Sequence, residues 1–169
     1  MAGVLMLLPQ ISSAITGTTS LTATFNATVE SGTCNSALHD DGGNAVATLD
    51  FGNLYISELS STEPTKSFSI VFSECQAVTA VTVTTSDSSL CSADAFANVS
   101  GNAQGIAAEL WSGEPDTGKQ FVCSDSSGQT FDVVDDTTVV PMSIRMVPTD
   151  VALKAGSFDT TLILMVTYL

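Results

Sequence analysis

The chain has 169 residues, enough for one well-buried domain and short for two. Lys and Arg total 4 against 18 Asp and Glu, a net charge of −14, and so acidic a surface repels phosphate backbones and argues against nucleic acid as a partner. Only 13% of residues are charged, while Ser, Thr, Ala, Val and Gly abound, which suits strands and argues against a helical bundle rich in Glu and Lys.

Residues 1–14, MAGVLMLLPQISSA, read as a signal peptide. Ala2 to Leu8 is apolar but too short to span a bilayer, and Ser12, Ser13 and Ala14 are the small residues that cleavage needs. No Lys or Arg precedes the apolar run, so the signal is atypical or truncated. The competing reading is a buried N-terminal strand.

Residues 15–29, ITGTTSLTATFNATV, alternate strictly. Ile15, Gly17, Thr19, Leu21, Ala23, Phe25, Ala27 and Val29 hold the odd positions, and the even ones are all Thr, Ser or Asn. That is the period of a strand with one apolar and one polar edge. By periodicity alone it is either the first strand of its own sheet or a strand meant to pair elsewhere.

Beyond it, strand-length apolar runs alternate with turn-rich breaks. Strands are expected at 21–30, 45–51, 67–73, 78–85, 104–111, 118–123, 129–134, 138–146 and 157–168. The breaks include HDDGGN (His39 to Asn44), SSTEPT (Ser60 to Thr65), SGEPDTG (Ser112 to Gly118) and VPTD (Val147 to Asp150). Pro64, Pro115 and Pro148 fall in them. A short helical turn is placed at Ser57 to Ser61 or Ser92 to Ala97. Many short strands without intervening helices mean an all-β sandwich or barrel, with no repeat or dividing linker.

Export to an oxidising compartment would turn the four cysteines into two disulfides. Sequence order leaves three pairings open. A bridge between Cys34 and Cys75 would constrain the unfolded chain by roughly 4 kcal/mol, leaving Cys91 for Cys123. Zinc is disfavoured because no two cysteines stand at close ligand spacing and the chain has one histidine.

Other side chains read as structural. His39 has Ser36 and Asp40 nearby but no catalytic context. Asp40, Asp41 and Asn44 lack the spacing and closing Glu of a calcium loop. Trp111 and Phe121 fit a core better than a sugar platform. The sequons at Asn26 and Asn98 are chance matches in a Thr/Ser-rich chain. Lys66, Lys119 and Lys154 lie near turns, unsuited to a buried Lys–Asn crosslink.

The C-terminus, AGSFDTTLILMVTYL, places Phe158, Leu162, Leu164, Val166 and Tyr168 on one apolar face, interrupted only by Thr160. Gly156 is fourteenth from the end and Tyr168 is penultimate. This resembles the closing motif of the pilin subunits assembled by the bacterial chaperone–usher pathway, the type 1 fimbrial family. TFNATVESGTC (Thr24 to Cys34) is similar to the family's N-terminal extension running into its first cysteine. TKSFSIVFSECQ (Thr65 to Gln76) resembles the strand carrying the second. GIAAELW (Gly105 to Trp111) and VVPMSIRMVPT (Val139 to Thr149) resemble later strands, so the likeness covers the whole mature chain.

The resemblance implies an incomplete immunoglobulin-like sandwich lacking its last strand. Residues 15–29 would be a donor-strand extension and 30–169 the pilin domain, with Phe25 to Val29 belonging in part to that domain. The groove strand would carry Gly156, Phe158, Leu162, Leu164, Val166 and Tyr168. Cys34–Cys75 would be the family disulfide, whereas Cys91 and Cys123 depart from the commonest pattern. The implied partners are a periplasmic pilus chaperone, an outer-membrane usher and neighbouring pilin subunits, with no small-molecule substrate, cofactor, metal or catalysis. The implied setting is the cell-surface fimbrium of a Gram-negative bacterium, reached through the periplasm, where the subunit contributes to adhesion. The alternative is a carbohydrate-binding tip adhesin. Adhesins of the family carry a lectin domain ahead of the pilin domain and lack a donor extension, unlike this chain. Ile15, Leu21 and Phe25 are expected to be exposed or disordered in an isolated monomer and buried in a fibre.

Overall fold

The structure, a computed structural model, describes residues 18–22, 34–86 and 90–169, the first group by backbone alone. The readings of residues 1–14, of the Asn26 sequon, and of Ile15, Gly17, Ala23, Phe25, Ala27 and Val29 lie outside the described residues.

Two antiparallel sheets carry the fold. The smaller runs in the order β1 (Thr18–Thr22), β11 (Ile163–Tyr168), β4 (Ala80–Thr85) and β9 (Gln129–Asp132). The larger runs β2 (Asn35–Asp40), β3 (Thr65–Ser73), β10 (Thr138–Pro148), β7 (Ile106–Ser112), β6 (Ala95–Ala97) and β5 (Cys91–Ser92). Strand β8 (Lys119–Phe121) also pairs with β7. Among the described residues one short helix, α1 (Ile56–Ser61), precedes β3.

Alternation explains the strands that read clearly. Phe68, Ile70 and Phe72 of β3 point inward and are buried, and Val81 and Val83 of β4 do the same. They meet Val140 and Met142 of β10 and Leu164, Val166 and Tyr168 of β11 in one cluster, so both sheets bury their faces against each other. Each large apolar side chain contributes about 1.5–3 kcal/mol on full burial. The Phe72 and Tyr168 rings meet edge to face, 6.5 Å between centroids, and join the two sheets.

Two disulfides fix the ends of strands. Cys34–Cys75 ties the start of β2 to the end of β3, and Cys91–Cys123 ties β5 to the segment after β8.

Several expectations are corrected. Residues 45–51 form no strand; Ala45 makes a single bridge to His39, and Val46, Leu49 and Phe51 lie half-buried along an irregular path. The strand is instead β2, whose sole buried residue is Leu38, too little burial to imprint an alternation. Where a helical turn was an option, Cys91 to Ala97 forms β5 and β6, because Ala95 and Phe96 bury against β7. Strand β10 continues through Val147 to Pro148, where the missing N–H of proline falls at the strand's last position. The final strand begins at Ile163, not at 157.

Candidate functional site

The sandwich closes at one end and opens at the other. At the open end a second cluster forms around Leu59, Ile106, Ala108 and Met146, which are buried, while Phe51, Leu54, Leu153 and Phe158 stay half-buried. These residues border a groove of about 810 Å³, lined by segments 48–59 and 153–164 and by strands β7 and β10. Helix α1 contributes Leu59. Its start is held by the Tyr55 N–H donating to the Glu58 carboxylate at 2.8 Å.

Residues 157–160 and Leu162 line this groove outside any strand, held by asparagine side chains together with backbone bonds from Val99 to the Asp159 carbonyl and from Ala103 to the Ser157 carbonyl. The Asn98 amide nitrogen donates to the carbonyls of Ser157 and Ala103, both at 3.0 Å, and its oxygen accepts from the Asp159 N–H at 2.9 Å. The Ser157 N–H donates to Asn102 Oδ1 at 2.7 Å. Gly156 is required by this close approach: a Cβ there would collide with Asn102 Oδ1 and the Ala103 nitrogen. The Asn98 sequon is thus a structural clamp whose amide is already engaged.

At Ile163 the chain enters the sheet. Leu169 and Ala80 exchange backbone hydrogen bonds with β4's side, and Ser86 donates to the Ile163 carbonyl. Odd-numbered residues of β11 therefore bond toward β4, and the amides of Leu164 and Val166 turn the other way, toward β1. Strand β1 pairs there antiparallel, Thr19 opposite Val166 and Leu21 opposite Leu164.

The residues singled out from sequence thus fall into three groups. Leu162, Leu164, Val166 and Tyr168 are buried; Phe158 and Thr160 are half-buried and line the groove; Gly156 is exposed at its margin. Thr19 and Leu21 are brought to β11: Leu21, expected to be exposed or disordered in an isolated monomer, stands in a strand whose backbone pairs with Leu164. An open strand edge pairs with the nearest available strand, and that strand belongs to the same molecule. Sequence reasoning missed Leu49, Leu54 and Leu59 as groove residues. In LDFGNL (Leu49 to Leu54) apolar residues recur without a regular period, which left no signal for their shared role.

The remaining polar candidates have structural work. Asp40 accepts from the Asn44 N–H at 2.8 Å and from its amide, closing the turn after β2. The Asn44 backbone bond and then its side-chain bond hold that carboxyl below its ordinary range. Trp111 lies under the Arg145 guanidinium at 5.5 Å and donates to Glu109, so its ring face is occupied. Arg145 also pairs with Glu109 at 2.6 Å, Asp116 at 2.7 Å and Glu63 at 3.2 Å. Burial pulls its pKa down, but the bonds from Asp116 and Glu109 outweigh that and raise it. Lys66, Lys119 and Lys154 are all exposed.

No protein-family model matches the chain. It is 31% identical over 171 residues to the uncharacterized fimbrial-like protein YadL of Escherichia coli strain K12, spanning 89% of this chain and 85% of YadL. Among solved structures it is similar to one from a chaperone–usher pilus, with a TM-score of 0.60 and 17% identity over 98% of this chain and 100% of that one. It is also similar to the Burkholderia pseudomallei antigen and type I fimbria protein, with a TM-score of 0.51 and 16% identity over 92% and 99%. At those identities the two structures establish the fold, an immunoglobulin-like pilin sandwich. The identity to YadL across most of both chains shows that this chain belongs to the fimbrial-like proteins and not to a family of enzymes.

Proposed function

We propose that this protein is a structural subunit of a Gram-negative surface fimbria that polymerises by donor-strand complementation. The observation that carries the reading is the edge of β11: it accepts an N-terminal strand in antiparallel register, beside an apolar groove. Such an edge favours β-augmentation, in which main-chain bonds supply affinity and alternate side chains supply fit.

A neighbour's extension, residues 15–29, that kept the same register would set Leu21 opposite Leu164, Phe25 opposite Thr160 and Val29 opposite Gly156. Directly opposite residues share a face, so the largest donor side chain meets the one gap in the apolar face. Leu21 and Phe25 would each contribute about 1.5–3 kcal/mol on burial. Before assembly the groove strand, Gly156 to Tyr168, is held by a periplasmic chaperone, and an outer-membrane usher catalyses the exchange. In this reading residues 1–14 direct export, 15–29 donate and 30–169 accept.

The test is deletion of 15–29 in cells expressing the chaperone. The truncated subunit should remain chaperone-bound and accept a donor, yet never donate one. Its appearance as a donor in SDS-resistant oligomers would refute the assignment. Removal of Tyr168 and Leu169 should in turn abolish co-purification with the chaperone.

A further inference from the structure

We infer that the chain caps its own assembly edge: β1 of the same molecule occupies part of β11 and competes there with the strand of a second copy. The inference rests on the donor-strand reading and adds an off-state to it. The cap is an antiparallel pairing of Thr18–Thr22 with Thr167 through Ile163, and it receives the outward-turned amides of Leu164 and Val166.

Proximity favours this partner. Residues 23–33 join Thr22 to Cys34 and span at most about 40 Å. A strand on so short a tether has an effective concentration on the order of millimolar, far above that of a second copy in dilute solution. Self-pairing also removes the hazard of an unpaired edge, which otherwise recruits any available strand.

The cap is short enough to be replaced. Its last described residue, Thr22, stands opposite Ile163, and Leu49, Phe51, Leu54, Leu59, Phe158 and Leu162 line a groove beside that edge. A strand from a second copy that covers both edge and groove makes more ladder bonds and buries more apolar surface than five residues do. The cap therefore slows exchange without preventing it.

The experiment compares uptake of a fluorescent peptide of residues 15–29 by the purified full-length chain and by its Thr19→Pro variant. Thr19 stands opposite Val166 in a bonded pair, so proline removes a donor from the cap and leaves the acceptor edge intact. The variant should take up peptide roughly ten- to a hundredfold faster. Equal rates would overturn the cap and leave donor-strand pairing standing. If neither chain takes up peptide, both readings fall. Hydrogen exchange on the unmodified chain supplies a check that needs no variant. The Leu164 and Val166 amides should be protected at all dilutions, and exchange as fast as an open edge would overturn the cap.

Discussion

The two ends of the sandwich are built from the same kinds of side chain and differ in whether the second sheet reaches over them. At the closed end, Phe72, Val83, Val140 and Val166 are wholly buried between β3, β10, β4 and β11. At the open end, Phe51, Leu54 and Phe158 face the groove half-buried, and the chain beside them is pinned by asparagine amides and a few backbone bonds from residues 99–103 without forming a strand. The closed end stores stability, and the open end leaves apolar surface uncovered, an energetic reason for a partner strand to bind there.

The largest expected break in that contrast is Phe72→Ala. It opens a cavity where both sheets meet and should cost about 3–5 kcal/mol, measured as a lower urea midpoint at unchanged slope. Next is Asn98→Ala, which takes the acceptor from the Gly101 and Asp159 N–H groups and a donor from the Ala103 carbonyl, while the Ser157 carbonyl keeps the Ala103 N–H, and should cost about 1–3 kcal/mol. Peptide uptake should fall with it, because the groove margin loosens.

Phe51→Ala sharpens the comparison most directly. In the free chain it should cost about 1 kcal/mol, since the ring is only half-buried, and in the peptide-filled chain about 2–3 kcal/mol. Equal losses in the two states would mean that the ring does not meet the incoming strand. Smallest is Glu63→Gln, which removes the most distant partner of Arg145 while Glu109 and Asp116 remain, and should shift stability by under about 0.5 kcal/mol.

What the sequence disclosed follows the same division. Strands β3, β4 and β10 were legible because each has one face against a continuous core, which forces alternation, whereas β7 was legible as an apolar run, with Ile106, Ala107 and Ala108 all buried. The groove strand was legible as a pattern, yet alternation at Phe158 to Tyr168 reports burial and not pairing. It therefore ran straight through Ile163, where side-chain clamps give way to the sheet. Strand β2 was invisible because Leu38 alone among its residues is buried. The role of Leu49, Leu54 and Leu59 depends on chain segments meeting from opposite sides of the groove, a relation that no local window contains. Gly156 stood out by position, but its cause is Asn102, 54 positions earlier in the chain.

The two disulfides also decide how the molecule carries mechanical load. Tension arriving through the N-terminal segment enters at Cys34 and passes covalently to Cys75, bypassing β2, α1 and β3, with the partners 41 residues apart. The second bridge, between residues 32 apart, shunts β5, β6, β7 and β8 in the same way. Pulled from its ends, the oxidised chain can pay out little more than half its contour. Reduction would lengthen it by roughly 240 Å at about 3.3–3.6 Å per residue. The bonds that define the domain's corners thus act as limiters of extension.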